Sequence, residues 1–142
     1  MTLEELQEQA SKDLKFDDLE LANESLRSAS LHQKYLTIYN NFRQLKLMNE
    51  GNYKVKYRQK WEYYSGKSEP QVYRDNPFEH KILKADLPIY LESDEELIRL
   101  KQKVEYYSMC VDSCERILKQ IQQRGWDIKN AIEWRKFVDG VV

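Results

Sequence analysis

The run of residues from 19 to 65 contains no proline and only one glycine, Gly51. Apolar residues recur through it at intervals of three and four, which is the spacing of one face of an α-helix. A continuous helix over this run would span roughly 70 Å, against roughly 30 Å for the diameter of a small domain. The run therefore predicts a mainly α-helical chain that is elongated or built into an assembly, with Gly51 as the expected site of a kink or break.

Helix-start signals precede this run and define its beginning. Thr2 and Glu5 have capping-box spacing ahead of an apolar pattern, so we expect a short helix over 3–15. Asp17 or Asp18 then offers a short oxygen that can cap the next helix. The second helix is accordingly predicted over 19–65.

A second helical arm is predicted after residue 93. Ser93 and Glu96 have capping-box spacing, and apolar residues repeat at helical intervals behind them. We expect a helix over 94–123. Gly125 then separates it from a short C-terminal helix over 126–138.

The two arms are separated by a region that we expect to be a loop, over 66–92. Gly66 is suited to the left-handed position that ends a helix. Two short apolar runs flank a turn within 81–91, a pattern that allows a small β-hairpin. The loop holds all three prolines of the chain, Pro70, Pro77 and Pro88.

Length and composition restrict the class of protein. A chain of 142 residues with 33% charged residues fits a single domain over 1–142 that is helix-rich and thinly cored. No apolar stretch approaches the 18–20 residues or so that a membrane span needs, so no membrane partner is expected. No signal peptide is evident, and we expect a reducing cytoplasm, where Cys110 and Cys114 stay as thiols.

No signature of catalysis is present, and we expect no enzyme, cofactor or metal. The four glycines form no phosphate-binding loop, and His32 and His80 are isolated from each other. Cys110 and Cys114 lie one helical turn apart but supply only half of a zinc site. Small apolar packing is the expected role of these two thiols.

Residues 53–67, which we term the basic–aromatic segment, concentrate positive charge in a chain whose formal net charge is −1. Cations neutralise phosphates and flat rings stack on unpaired bases, so the segment suits single-stranded nucleic acid. Two alternatives stay open, in which the rings pack a core or a subunit interface and the cations form a solvated border. The predicted DNA-binding residues are Lys54, Lys56, Arg58, Lys60, Trp61, Tyr63, Tyr64 and Lys67. On a helix, Tyr53, Tyr57, Trp61 and Tyr64 fall on one aromatic stripe.

The C-terminal segment is unusually apolar for a terminal element. One short helix cannot bury all of its large side chains, and apolar patches of this kind mark interfaces. We expect it to meet a neighbouring subunit, with docking on the long helix as the alternative. Its apolar residues are Trp126, Ile128, Ile132, Trp134, Phe137 and Val138, followed by Val141 and Val142.

Three blocks of the sequence resemble UvsY, the recombination mediator family of T-even-type bacteriophages. They are the start of the chain at 3–13, the Arg-x-Lys-Trp-Glu-Tyr-Tyr-Ser-Gly motif at 58–66, and the Arg-Gly-Trp block with its continuation at 124–137. The order and spacing of the three blocks are more specific than any one of them. The chain departs from the family in placing arginine first in the basic pair and in adding Lys54 and Lys56 upstream.

The resemblance implies a non-enzymatic protein that acts in the cytoplasm of an infected bacterium. Such a protein binds single-stranded DNA covered by the phage single-strand-binding protein and helps the phage RecA-like recombinase to load there. The resemblance also implies a ring-like homo-oligomer formed through the C-terminal region, and DNA binding by Arg58 and Lys60. The alternative function is a helical scaffold or assembly protein, in which the basic–aromatic segment is a subunit interface and binds no DNA.

Overall fold

A computed structural model describes residues 1–140; Val141 and Val142, which we assigned to the apolar C-terminal surface, lie outside the described residues. Its regular structure is helical, and the mainly α class with two long helices is confirmed. No strand occurs within residues 1–140, so the β-hairpin considered for 81–91 is wrong. The helices are α1 (Leu3–Asp13), α2 (Leu21–Tyr64), α3 (Pro70–Asp75), α4 (Leu87–Glu92) and α5 (Glu95–Val138), with a 3-10 turn at Lys84–Asp86 before α4.

The starts of α1 and α2 depend on short polar side chains. In the predicted capping box, the Glu5 N–H donates to Thr2 Oγ1 and the Thr2 N–H donates to Glu5 Oε2, both at 3.1 Å. Asp17 Oδ1 instead accepts from the Leu19 N–H at 2.9 Å and closes a turn ahead of the helix. Because residues 17–20 form this turn, α2 begins at Leu21 and not at residue 19.

The two glycines expected to interrupt helices both lie within continuous ones. Gly51 is inside α2 and Gly125 is inside α5, so the predicted separate helices over 94–123 and 126–138 are one helix. A glycine in a helix interior costs only about 1 kcal/mol relative to alanine. Arg124 and Ile128 flank Gly125 and are buried, and their packing holds the helix together across it.

Gly66 is the left-handed residue of the C-terminal cap of α2, as predicted. Its φ is 75°, the left-handed region that glycine adopts without steric cost. The Lys67 N–H donates to the Glu62 carbonyl at 2.8 Å, and the Gly66 N–H donates to the Tyr63 carbonyl at 3.2 Å. This pair of hydrogen bonds is the Schellman motif, and it turns the chain sharply after Tyr64.

The region from 66 to 92 is less irregular than the prolines suggested. Pro70 and Pro88 lie in the first turns of α3 and α4, where a missing backbone N–H leaves no hydrogen bond unmade. Ser93 ends α4 and does not cap α5. The cap of α5 is Asp94, whose Oδ1 accepts from the Leu97 N–H at 3.0 Å. The predicted Ser93–Glu96 capping box is therefore wrong, because the carboxylate one residue later takes the position.

The chain groups into two compact units, which are described one at a time. The first unit comprises Met1–Arg43 and the chain from Ser108 onward. Side chains of α1, α2 and α5 form its core, and the buried cysteines Cys110 and Cys114 lie among them. Burial raises the pKa of Cys114 to about 11, with smaller contributions from Cys110 and Glu115.

A buried arginine joins α5 to α2 in the first unit. Arg124 forms an ion pair with Glu24, and its Nη1 donates to the Glu24 carbonyl at 2.9 Å and to Ser28 Oγ at 2.7 Å. Asp13 at the end of α1 accepts from Lys34 Nζ and the Tyr35 hydroxyl, each at 2.7 Å. These polar contacts determine the register of three helices whose core is otherwise apolar.

The second unit comprises Gln44–Tyr107 and has a small core. Its buried residues Leu87, Leu91 and Leu97 come from α4 and the start of α5. Side chains from the C-terminal part of α2 cover this cluster. Within residues 1–140, no helix is long and apolar enough to cross a membrane.

Candidate nucleic-acid interface

The basic–aromatic segment forms the last part of α2 and the turn after it. The aromatic stripe that it was predicted to carry is divided between core and surface. Tyr53, Trp61 and Tyr64 pack against the leucine cluster of the second unit, whereas Tyr57 is exposed. One of the two alternatives, in which the rings pack a core, therefore applies to three residues of the stripe.

Asp94 joins α2 to the start of α5 at the base of the segment. While one of its oxygens caps α5, the other accepts from the Tyr64 hydroxyl and lies 3.2 Å from Lys60 Nζ. Burial raises the pKa of Asp94, but the hydrogen bonds from Tyr64, the Leu97 N–H and Lys60 outweigh it and leave the pKa below its ordinary value. Burial, and next the bond to Asp94, raise the pKa of Tyr64. Asp94 is thus a buried carboxylate that stays ionised.

Glu96 lies between two lysines of the segment. Its carboxylate is 3.2 Å from Lys56 Nζ and 3.4 Å from Lys60 Nζ. The hydrogen bond from Lys56, followed by the charge of Lys60, lowers the pKa of Glu96. Lys56 and Lys60, two of the five cations of the segment, are therefore closely paired with acids of their own chain.

The other three cations are held less tightly. Lys54 is exposed and forms no ion pair with any described residue. The Arg58 side chain is 69% exposed, and its only acidic neighbour in residues 1–140 is Glu62, at 3.9 Å. Lys67 Nζ lies 4.6 Å from the centre of the Trp61 ring, a cation–π contact that leaves the charge available. These three side chains are the positive charge that the segment offers to a ligand.

An open groove of about 790 Å³ follows the segment on the second unit. Lys56, Lys60 and Lys67 line it together with Tyr63 and Tyr64, and the glutamates Glu62, Glu69 and Glu96 belong to the same lining. The structure thus brings together in one groove five of the eight predicted DNA-binding residues. Lys54, Arg58 and Trp61 are outside its lining.

Several residues of this site were not identified from the sequence. Asp94 and Glu96 were assigned to a helix start, and the fold places them against lysines about 35 to 40 residues earlier in the chain. Tyr73 stacks on Tyr63 with ring centres 5.5 Å apart, and the Tyr63 hydroxyl donates to the Asn76 carbonyl at 3.0 Å. The clustering of aromatic residues between 73 and 90 was the available signal.

In the first unit, the predicted oligomerisation residues do not share one environment. Ile128 is 1% exposed and packs in the core of its own unit, so it offers no surface to a second subunit. Ile132 is half-buried. Trp126, Trp134, Phe137 and Val138 are exposed, and the rings of Trp134 and Phe137 stack with centres 5.6 Å apart. These four side chains form an apolar surface, which we term the C-terminal patch.

Fold and site together define an all-helical protein that presents cations beside aromatic rings. Residues 9–141 match the family described as recombination, repair and ssDNA-binding protein UvsY. The chain belongs to the UvsY family, which confirms the resemblance of its three sequence blocks. Among residues 1–140, no group of three or more histidine, cysteine or acidic side chains could hold a metal ion.

Individual relatives agree with this membership over the whole chain. Recombination protein UvsY of Enterobacteria phage T4 is 27% identical over 140 residues, which is 99% of each chain. One crystal structure of the bacteriophage T4 recombination mediator protein UvsY has a TM-score of 0.87 at 27% identity, covering 98% of both chains. Another has a TM-score of 0.85 at 26% identity and covers 96% of this chain and 98% of that one.

Replacing Asp94 with asparagine tests whether its ionised carboxylate stabilises the packing of α2 against the start of α5. Asparagine can still cap α5, but it has no charge for Lys60, so we expect unfolding at pH 7 to become easier by about 1–2 kcal/mol. The folded-state pKa lies below the ordinary value of 3.8, so the stabilisation is complete above about pH 4 and is lost as pH falls through the folded value. The difference should therefore shrink at pH 3.

Urea unfolding followed by circular dichroism at the two pH values measures this difference. Asp112→Asn, an exposed acid on the same helix, is the matched control and should cost little at either pH. If Asp94→Asn unfolds as the wild type does at pH 7, or if its loss of stability grows on acidification, Asp94 is not a stabilising ionised carboxylate.

Proposed function

We propose that this protein is a phage recombination mediator that binds single-stranded DNA through the basic–aromatic segment. It helps a RecA-like recombinase to load on DNA covered by the phage single-strand-binding protein, in the cytoplasm of the infected bacterium. Membership of the UvsY family supports the DNA-binding part, and the likeness to the bacteriophage T4 recombination mediator protein supports the mediator part. The observation that carries the proposal is the set of exposed cations Lys54, Arg58 and Lys67, the last of which lines the groove.

The mechanism is binding without chemical change to the DNA. Each subunit offers a few cations to phosphates, and each neutralised phosphate releases counterions, so affinity is strongly salt-dependent. A ring-like homo-oligomer joined through the C-terminal patch multiplies these weak contacts into avidity. Wrapping the strand over several subunits weakens the grip of the covering protein and exposes a segment to the recombinase.

The packing of the aromatic residues weighs against the scaffold alternative. In that function, the rings of the segment fill an interface between subunits and the cations form its border. Tyr53, Trp61 and Tyr64 instead pack on the leucine cluster of their own unit. Lys54 and Arg58 are exposed, as a phosphate-binding role requires.

Removing the exposed cations of the segment tests the proposed site. Lys54→Gln/Arg58→Gln/Lys67→Gln should weaken binding to oligo-dT and make the salt dependence shallower by about 2 log units per log unit of salt, since each phosphate contributes about 0.7. Fluorescence titration of a labelled oligonucleotide at several salt concentrations measures both. Arg116→Gln/Lys119→Gln/Lys136→Gln removes the same charge from exposed positions of the first unit. Equal losses in the two triple variants would remove the segment from the site.

Glu96 should restrain DNA binding, because it occupies two lysines that phosphates would otherwise contact. Glu96→Gln is expected to raise oligo-dT affinity severalfold and to steepen its salt dependence. Glu95→Gln makes the same charge change on the neighbouring residue, which forms no ion pair within residues 1–140, and serves as the control. An equal gain in oligo-dT affinity in both variants would show that the net charge alone controls binding. Weaker binding by Glu96→Gln would show that Glu96 orients the lysines for DNA.

The contribution of avidity is testable at the C-terminal patch. Trp134→Ala/Phe137→Ala removes two exposed rings that are 66% and 74% accessible, so the fold should survive while the oligomer dissociates. Oligo-dT affinity should fall although the basic–aromatic segment is intact. Light scattering and titration measure the two effects, with exposed Leu26→Ala as the control. A demonstrated monomer that binds as tightly as the wild type disproves the avidity mechanism.

A further inference from the structure

The second unit carries another groove, beside the lysine-lined one, whose walls are aromatic. Its volume is about 560 Å³, and the ring of Phe78 lies at its centre. Phe78 is 5.3 Å from Tyr63, 5.2 Å from Tyr64, 5.9 Å from Tyr90 and 5.6 Å from His80, measured between ring centres. We term this surface the Phe78 groove.

The lining of the Phe78 groove selects a flat and uncharged ligand. No lysine or arginine contributes to the lining, and Glu79 lies in it, so the groove disfavours a phosphate. The rings of Tyr64 and Tyr90 meet Phe78 edge-on, at 77° and 82°. His80 is exposed at the rim and offers a ring to a planar group arriving from solvent. Aromatic side chains that present a ring to solvent can stack on nucleobases of any sequence.

Tyr63 and Tyr64 line both grooves of the second unit. One groove therefore presents Lys56, Lys60 and Lys67 together with three glutamates, the other presents aromatic rings, and the two grooves share the same two tyrosines. A nucleotide has the same division, with a charged phosphate on one side and a flat base on the other. We infer the ligand from the fact that the two grooves are adjacent.

We propose that the Phe78 groove stacks an unpaired base of a single strand whose phosphates follow the adjacent lysine-lined groove. This inference rests on the proposed function and adds Phe78, His80 and Tyr90 to its DNA-binding residues. The base-stacking role falls on this groove because Trp61, one of the rings that the sequence suggested, packs against the leucine cluster, whereas the other two, Tyr63 and Tyr64, line the groove. A duplex, whose bases are already stacked, should be bound less well than a single strand.

The test compares oligo-dT with an abasic oligonucleotide of the same length, which keeps the phosphates and lacks the bases. The wild type should prefer oligo-dT by about fivefold or more, the contribution expected of one stacked base. His80→Ala and Phe78→Leu should lower that preference and leave the affinity for the abasic strand unchanged. His32→Ala, at the only other histidine, is the matched control and should keep the preference.

His80→Ala decides the matter if Phe78→Leu fails to fold, because His80 is exposed and its removal leaves the ring cluster in place. Circular dichroism establishes folding for each variant. An unchanged preference for oligo-dT in folded His80→Ala overturns the base-stacking site, and the groove is then internal packing or a protein contact. Failure of the wild type to bind either strand would overturn the proposed function itself, which is a different outcome.

Discussion

The arrangement of the candidate interface depends on one buried carboxylate. Asp94 caps α5 with one oxygen and holds the Tyr64 hydroxyl and the Lys60 ammonium with the other. A carboxylate that is 4% exposed would be costly to bury without these partners, and together they keep it ionised. Because the same residue starts one long helix and anchors the other, it fixes where the cations of α2 lie relative to α5 within the second unit.

The charge of the basic–aromatic segment is therefore divided between structure and function. Lys56 and Lys60 face Glu96 and Asp94, while Lys54, Arg58 and Lys67 are available to solvent. A basic patch without neighbouring acids would bind any polyanion. Acids among the cations weaken each single contact, so tight binding requires several phosphates to bind at the same time. For a protein proposed to act on a strand that is already covered, moderate affinity per subunit combined with avidity is a reasonable design.

Much of the fold was predictable because its signals are local. The proline-free run from 19 to 65 predicted a long helix, Thr2 and Glu5 predicted a capping box, and Gly66 predicted a left-handed helix end. Each signal acts within a few residues of the chain, and each of these predictions is confirmed. The error at Gly125 arises because distant residues decide the outcome there. Gly125 does not break α5, since Arg124 and Ile128 are buried beside it. Pro70 and Pro88 begin helices, because the first turn of a helix needs no N–H from them.

The sequence by itself determined the helical class, the family and the identity of the basic–aromatic segment. Helix periodicity, caps and an ordered set of motifs are properties of residues close together in the chain, so no tertiary contact is needed to recognise them. Only the tertiary structure decided which cations are free, which rings are core and that Ile128 is interior. Those properties depend on Asp94, Glu96, Phe78 and the leucine cluster, which lie about ten to thirty residues beyond the end of the segment and reach it only through folding.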